Sequence, residues 1–153
     1  MGQLNLPDSA KIYIDTVIVI YTIEVNPNYW QLLQPLWQKF QSSQIELITS
    51  ELTLLESLVI PFRQGNTNLI NTYDQLLLSS GIQLIPINQT IIREAAKLRG
   101  STTSLRTPDA IHAATAMISG CSQFLTNDQR LRTVPGLPIL ILDEVLTSGD
   151  ISK

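Results

Sequence analysis

Four acidic residues stand at positions where they could do chemistry together: Asp15, Glu56, Asp109 and Asp128. Asp15 follows the alternating run Ile12-Tyr13-Ile14, and Asp128 comes just after Phe124-Leu125-Thr126. Both are therefore expected at strand ends. Asp109 falls in the first turn of a helical stretch opened by Thr107-Pro108. Glu56 interrupts an otherwise apolar helical stretch of Leu52, Leu54, Leu55, Leu58, Val59 and Ile60. If these acids converge, their repulsion raises their pKa values and strains the fold. A divalent cation relieves that repulsion. Mg²⁺ prefers carboxylate and water oxygens in octahedral geometry. Bound there, it activates a water and stabilises charge on a phosphodiester under attack, and two ions about 4 Å apart clamp both the attacking and the leaving oxygen.

Each acid also has a plainer reading. An Asp after a strand or in a helix's first turn is commonly a cap or a partner of the helix dipole. Glu51 competes with Glu56, but its first-turn position is explained by the dipole alone. His112 lies three residues after Asp109 and so shares its helix face. It reads more simply as a side chain packed under the site than as part of it. With one histidine and one cysteine, the chain has no histidine-based triad and no cysteine or histidine-rich zinc cluster. It also lacks a Walker lysine loop and a GxGxxG turn.

The elements that must position these residues alternate between strand and helix, which predicts a parallel sheet with helices on both faces. Strands are expected over residues 11–14, 45–48, 82–87, 123–126 and 138–142. Helices are expected over 16–24, 29–42 (with Pro35 a point of kinking or breaking), from the Thr49-Ser50 cap to Pro61, and over 68–79. Two more are expected over 89–99, with Gly100 as the stop, and over 107–118, with Thr107 as cap and Pro108 as the first helical residue. Residues 127–131 read as a short helix or turn, and the tail after Leu142 has no clear pattern. Trp30, Leu33, Trp37 and Phe40 recur at helical spacing and read as a core stripe, with a partner surface as the alternative.

The 153 residues fit one domain over 1–153, with 44% apolar and 15% charged content and a mean hydropathy of +0.14. Cys121 cannot form an internal disulfide and reads as a small buried hydrophobe, in keeping with a cytoplasmic location. No targeting signal is visible, and Val17–Ile20 is far too short to span a membrane. The net charge of −3 and pI of about 5.0 argue against a simple basic nucleic-acid surface. Yet six of the ten basic residues, Arg93, Lys97, Arg99, Arg106, Arg130 and Arg132, bracket Asp109 and Asp128 in sequence. They are either solvated surface charges or guides for a phosphate backbone, with Arg99 and Arg106 the candidates for the second role.

Four motifs in order carry a resemblance. Ile12-Tyr13-Ile14-Asp15-Thr16 resembles the opening strand of the PIN-domain family. Thr49-Ser50-Glu51-Leu52-Thr53-Leu54-Leu55-Glu56 is similar to its second motif. Thr107-Pro108-Asp109-Ala110-Ile111-His112-Ala113-Ala114-Thr115-Ala116 resembles its third and most specific one, and Phe124-Leu125-Thr126-Asn127-Asp128-Gln129-Arg130-Leu131 its fourth. The resemblance implies a three-layer α/β/α sandwich with a central parallel sheet and a ribonuclease dependent on Mg²⁺, with Mn²⁺ a plausible substitute. Asp15, Glu56, Asp109 and Asp128 would be the catalytic, metal-binding acids. It also implies the VapC-type toxin of a bacterial toxin–antitoxin pair, with RNA as substrate, a small antitoxin as partner and a homodimer as the assembly. Val17 departs from the pattern, because many members have Asn or Ser there. Thr16 and Asn127 remain as polar candidates beside the site. The alternatives are a non-catalytic RNA- or protein-binding module and an unrelated phosphotransferase or receiver-like domain using a strand-end Asp. The last does not explain Glu56 and the third motif together.

Overall fold

In the computed structural model, residues 2–151 are described as to backbone and residues 2–148 as to side chains. The elements are β1 (Lys11–Ile14), α1 (Thr16–Ile23), α2 (Trp30–Gln41), β2 (Glu46–Ser50), α3 (Glu51–Gln64), α4 (Thr67–Ser79) and β3 (Gln83–Ile85). They continue with α5 (Gln89–Ser101), α6 (Thr107–Ile118), β4 (Gln123–Thr126), a 3₁₀ turn (Gln129–Thr133), β5 (Ile139–Ile141) and α7 (Leu142–Ile151). All strand pairs are parallel, in the order β3-β2-β1-β4-β5. The expected α/β/α sandwich is the observed fold.

The period of two in β1 divides the core between the two faces. Ile12 and Ile14 pack with Leu33, Leu36, Leu47, Leu77 and Leu125 on the face covered by α1, α2, α4 and α7. Tyr13 points the other way and packs with Ile48, Phe124, Ile91 and the alanines of α6. Ala110, Ala113, Ala114 and Ala116 are all essentially buried. Their small side chains let α6 lie close to the sheet and α5. Trp37 is buried in the first core with Leu32, Leu33 and Leu36, and Trp30 and Phe40 pack against its edge, so the stripe is core.

Several element ends differ from the sequence reading. The second strand runs on to Ser50, so Thr49 is a strand residue and Ser50 alone caps α3, accepting from the Leu52 N–H. The third strand is shorter than expected, ending at Ile85 before Pro86, which has no N–H for the ladder. α2 is unbroken through Pro35. α5 continues through Gly100 to Ser101, so that glycine is no stop. Arg106 caps α6, without a side-chain hydrogen bond, which makes Thr107 the first helical residue and Pro108 the second. The patternless tail is α7, whose Leu142 and Val145 complete the first core. Among the described residues no helix is long and apolar enough to cross a membrane.

Candidate active site

Strand order reverses between β1 and β4, and the crevice at their carboxyl ends is where open parallel sheets bind ligands. The chain leaves β1 through Asp15, which caps α1 by accepting from the Thr16 N–H at 2.8 Å. It leaves β4 through Thr126 toward Asp128, which caps the 3₁₀ turn by accepting from the Arg130 N–H at 3.0 Å. Both acids are caps, as their plainer reading held, and both also open on a common pocket. That pocket, of about 430 Å³, is lined by Asp15, Thr16, Val17, Ile20, Tyr21, Glu56, Asp109, His112, Asn127 and Asp128. Four acids separated by up to 113 positions in sequence thus meet at one place. A larger pocket of about 610 Å³ lies at the opposite end of the sheet, beside Trp37, Glu46 and Gln83. It contains none of the motif residues.

Hydrogen bonds fix the acids unequally. Thr126 Oγ1 donates to Asp15 Oδ2 at 2.7 Å and accepts from the Asp128 N–H at 3.1 Å, tying the two strand-end acids together. Glu56 Oε1 accepts from Thr16 Oγ1 at 2.6 Å and lies 2.7 Å from His112 Nε2. That ring nitrogen is also 3.6 Å from Asp15 Oδ1. His112 Nδ1 lies 2.6 Å from the hydroxyl of Tyr13. In the charged ring both nitrogens donate, Nε2 to Glu56 and Nδ1 to the Tyr13 oxygen, and in the neutral ring Tyr13 donates to Nδ1 instead. Asp128 is gripped by Arg130, whose Nε and Nη2 lie at 3.1 and 2.8 Å. Asp109 Oδ2 is buried without any hydrogen-bond partner.

The protonation equilibria follow this geometry. Burial pushes Asp109 up, and Asp128 and Asp15 add to the rise against the opposing pull of Arg130. Arg130 holds Asp128 below the ordinary carboxylate range. Burial pushes Glu56 up, but the hydrogen bonds from His112 and Thr16 and the charge of His112 together bring it below its ordinary value. Burial pushes His112 down, but Glu56, Asp15 and Asp109 together hold it above its ordinary value.

The residues fit a divalent cation in their chemistry. They offer hard oxygen donors, and one buried carboxylate oxygen lacks a partner. As they stand they do not form a finished cage. Among the described residues no three carboxylate, histidine or cysteine side chains are gathered tightly enough to hold an ion. Glu56 is engaged by His112, and Asp128 by Arg130.

Sequence reasoning left several site residues out. His112 is only 3% exposed, so it does pack under the site, but it also hydrogen-bonds Glu56 directly. Its spacing from Asp109 was the one signal. Tyr13 gave none, because a strand tyrosine on the far face reads as core. Asn127 does not reach the acids. Its Nδ2 donates to the hydroxyls of Tyr21 and Tyr29 at 3.2 and 3.0 Å, and its Oδ1 accepts from the Asp143 N–H at 3.0 Å. Arg99 is spent on the loop before α6, donating to Leu105 O at 3.0 Å and Thr107 Oγ1 at 2.8 Å. It is not among the residues lining the acid pocket, whereas Arg106 is close enough to lower the pKa of Asp128.

Solved structures share this architecture. VapBC2 from Rickettsia felis, bound to a promoter DNA fragment, superposes with a TM-score of 0.68 at 16% identity, covering 86% of this chain and 98% of that one. A toxin–antitoxin complex from Klebsiella pneumoniae gives 0.61 at 22% identity, covering 86% and 96%. The sarcin–ricin-loop-cleaving toxin VapC20 of Mycobacterium tuberculosis gives 0.61 at 16% identity, covering 74% and 86%. At these identities the likeness is one of fold. No curated protein sequence matches the chain closely enough to count as a relative. The PIN domain family profile matches residues 12–137, a span that holds all four acids. The chain belongs to the PIN domain family.

Proposed function

We propose that this protein is a divalent-metal-dependent endoribonuclease and the toxin of a toxin–antitoxin pair. The observation that carries the reading is the convergence of Asp15, Glu56, Asp109 and Asp128 on one pocket, with a carboxylate oxygen of Asp109 buried and unpartnered. The fold's likeness to toxin–antitoxin complexes and to an RNA-cleaving toxin supports it.

Asp109 would be the first ligand, since one of its oxygens has no partner, and Asp15, 3.6 Å from His112 Nε2 and fixed by Thr126, would join it. Asp128 and Glu56 would join as Arg130 and His112 release them. The bound cation, Mg²⁺ or Mn²⁺, would supply an activated water and stabilise charge on the phosphodiester. Thr126 keeps the carboxylates of Asp15 and Asp128 in register. Thr16 and His112 orient Glu56, and the latter keeps a proton at Nε2 beside it. Arg130, once free, offers its planar guanidinium to a phosphate. A small antitoxin protein is the proposed partner, with a homodimer as the assembly and the cytoplasm as the place of action.

The test is expression of wild type and Asp109→Asn, with growth and cleavage of total RNA as readouts. Wild type should arrest growth and cut RNA in Mg²⁺ but not in EDTA, and the variant should do neither. A fully active variant overturns the reading. A second reading, a binding module that does not cut, draws on the engagement of Glu56 and Asp128 by His112 and Arg130. It predicts RNA binding by wild type with no cleavage in either metal.

A further inference from the structure

The wall of the pocket facing the acids is not acidic. α1 contributes Val17, Ile20 and Tyr21 to it beside Thr16, Ile20 lying one turn beyond Thr16 and Tyr21 one turn beyond Val17. The Tyr21 ring is stacked on Tyr29, with centroids 4.3 Å apart and planes within 12°. Both rings are only partly buried, at the edge of the first core. Both hydroxyls are tied down: Asn127 Nδ2 donates to each, and Tyr29 donates to Asp143 Oδ1 at 2.6 Å. Asn127 immediately precedes Asp128, so the clamp on the tyrosines and the acid cluster share one backbone segment.

Tyr13, which fills the core, is fully buried with its hydroxyl on His112, whereas Tyr21 is partly exposed and lines the pocket. Here two aromatic rings are held in fixed orientation at the rim of a pocket whose floor repels phosphate. Single-stranded nucleic acid is commonly held by stacking its bases on aromatic side chains. Rings already immobilised lose little rotamer freedom when a base arrives. Tyr21 lies five residues along α1 from Thr16, about 7.5 Å at the helical rise. A strand with its phosphate at the carboxylates therefore brings a neighbouring base to this wall.

We propose that Val17, Ile20 and Tyr21, with Tyr29 stacked behind and Asn127 clamping the tyrosine pair, form a subsite for one nucleobase of single-stranded RNA next to the phosphodiester held by the acids. This rests on the nucleic-acid reading above, but not on cleavage. Asn127 is here a positioning residue, acting through the two hydroxyls.

The test is binding without turnover. A short single-stranded RNA carrying one 2-aminopurine, and the same oligomer with an abasic residue in its place, are titrated against the protein in Ca²⁺, which relieves the repulsion of the acids for phosphate, with the RNA checked for intactness after each titration. Wild type should bind the base-bearing oligomer about tenfold or more tightly than the abasic one, the range expected for one stacked base. The 2-aminopurine fluorescence should be quenched on binding. Tyr21→Leu should abolish both the preference and the quenching, while Tyr21→Trp, which keeps a ring, should retain them. Asn127→Ala should weaken the preference. Equal binding of both oligomers by wild type, or no binding of either, overturns the subsite. This outcome is distinct from failure of the nuclease reading. Base-dependent binding without cleavage in Mg²⁺ keeps the subsite and removes the enzyme, and cleavage with base-blind binding does the reverse.

Discussion

His112 Nε2 sits 2.7 Å from Glu56 Oε1, joining the third motif to the second across 56 positions of sequence. Each partner sustains the charged form of the other: His112 is raised above its ordinary pKa and Glu56 is lowered below its own. The histidine's contribution to stability is complete below its unfolded value of about 6.5 and fades as pH rises through its higher folded value. The glutamate's is complete above about 4.3 and fades as pH falls through its lower folded value. Both are present in full between those two values. The melting temperature of His112→Gln should therefore fall furthest below wild type at about pH 5–6 and approach it as pH is raised. A constant gap across that range means the pair is not ionised in the folded protein.

The Tyr13 hydroxyl meets His112 Nδ1 at 2.6 Å, while its ring stacks on Phe124 with centroids 4.9 Å apart. Tyr13→Phe keeps the stack and strands a buried ring nitrogen. The expected cost is about 1–3 kcal/mol, measured by urea unfolding. No loss of stability would mean that water or another polar group already serves Nδ1.

Asp109 is pushed up by burial and has one oxygen without a partner. Asp109→Asn removes a charge whose burial Arg130 only partly offsets. The variant should melt in EDTA at or above the wild-type temperature. Wild type alone should respond to metal, gaining about 2.7 kcal/mol at 100 times the dissociation constant, on the order of 5–10 °C for a chain of this size. An equal gain in the variant places the metal elsewhere.

Arg130 occupies both oxygens of Asp128. A guanidinium in that position competes with a cation for the same carboxylate. Arg130→Gln should leave the melting temperature nearly unchanged, because exposed ion pairs contribute little. It should bind Mn²⁺ several-fold more tightly in isothermal titration. Unchanged or weaker metal binding removes Arg130 as a gate on Asp128.

Arg99 is a candidate guide for RNA in the sequence, but its Nε and Nη1 anchor it to Leu105 O and Thr107 Oγ1 beside the start of α6. Arg99→Ala should destabilise the turn into α6 and leave the salt dependence of RNA binding as in wild type. A flatter salt slope would return Arg99 to the phosphate path.

Patterning along the chain was enough for the order of elements up to β5, the parallel sheet and the strand-end positions of Asp15 and Asp128. These follow from period-two and helical patterning over short windows, where local geometry and burial agree. It also singled out Glu56, because a charge in an apolar helical run demands a reason. The tertiary structure decided how the acids are held. Tyr13 reaches His112, His112 reaches Glu56, Arg130 takes Asp128, and one oxygen of Asp109 is left without a partner. Asn127 turned away from the acids toward two tyrosines and α7. These pairings depend on residues of α1, α3, α6 and the β4–3₁₀ turn meeting at one pocket, where a side chain's neighbours come from other elements. No period in the chain encodes which polar atoms will meet there. The same holds for the helix at 142–151, whose few apolar residues acquire their meaning only against the finished core.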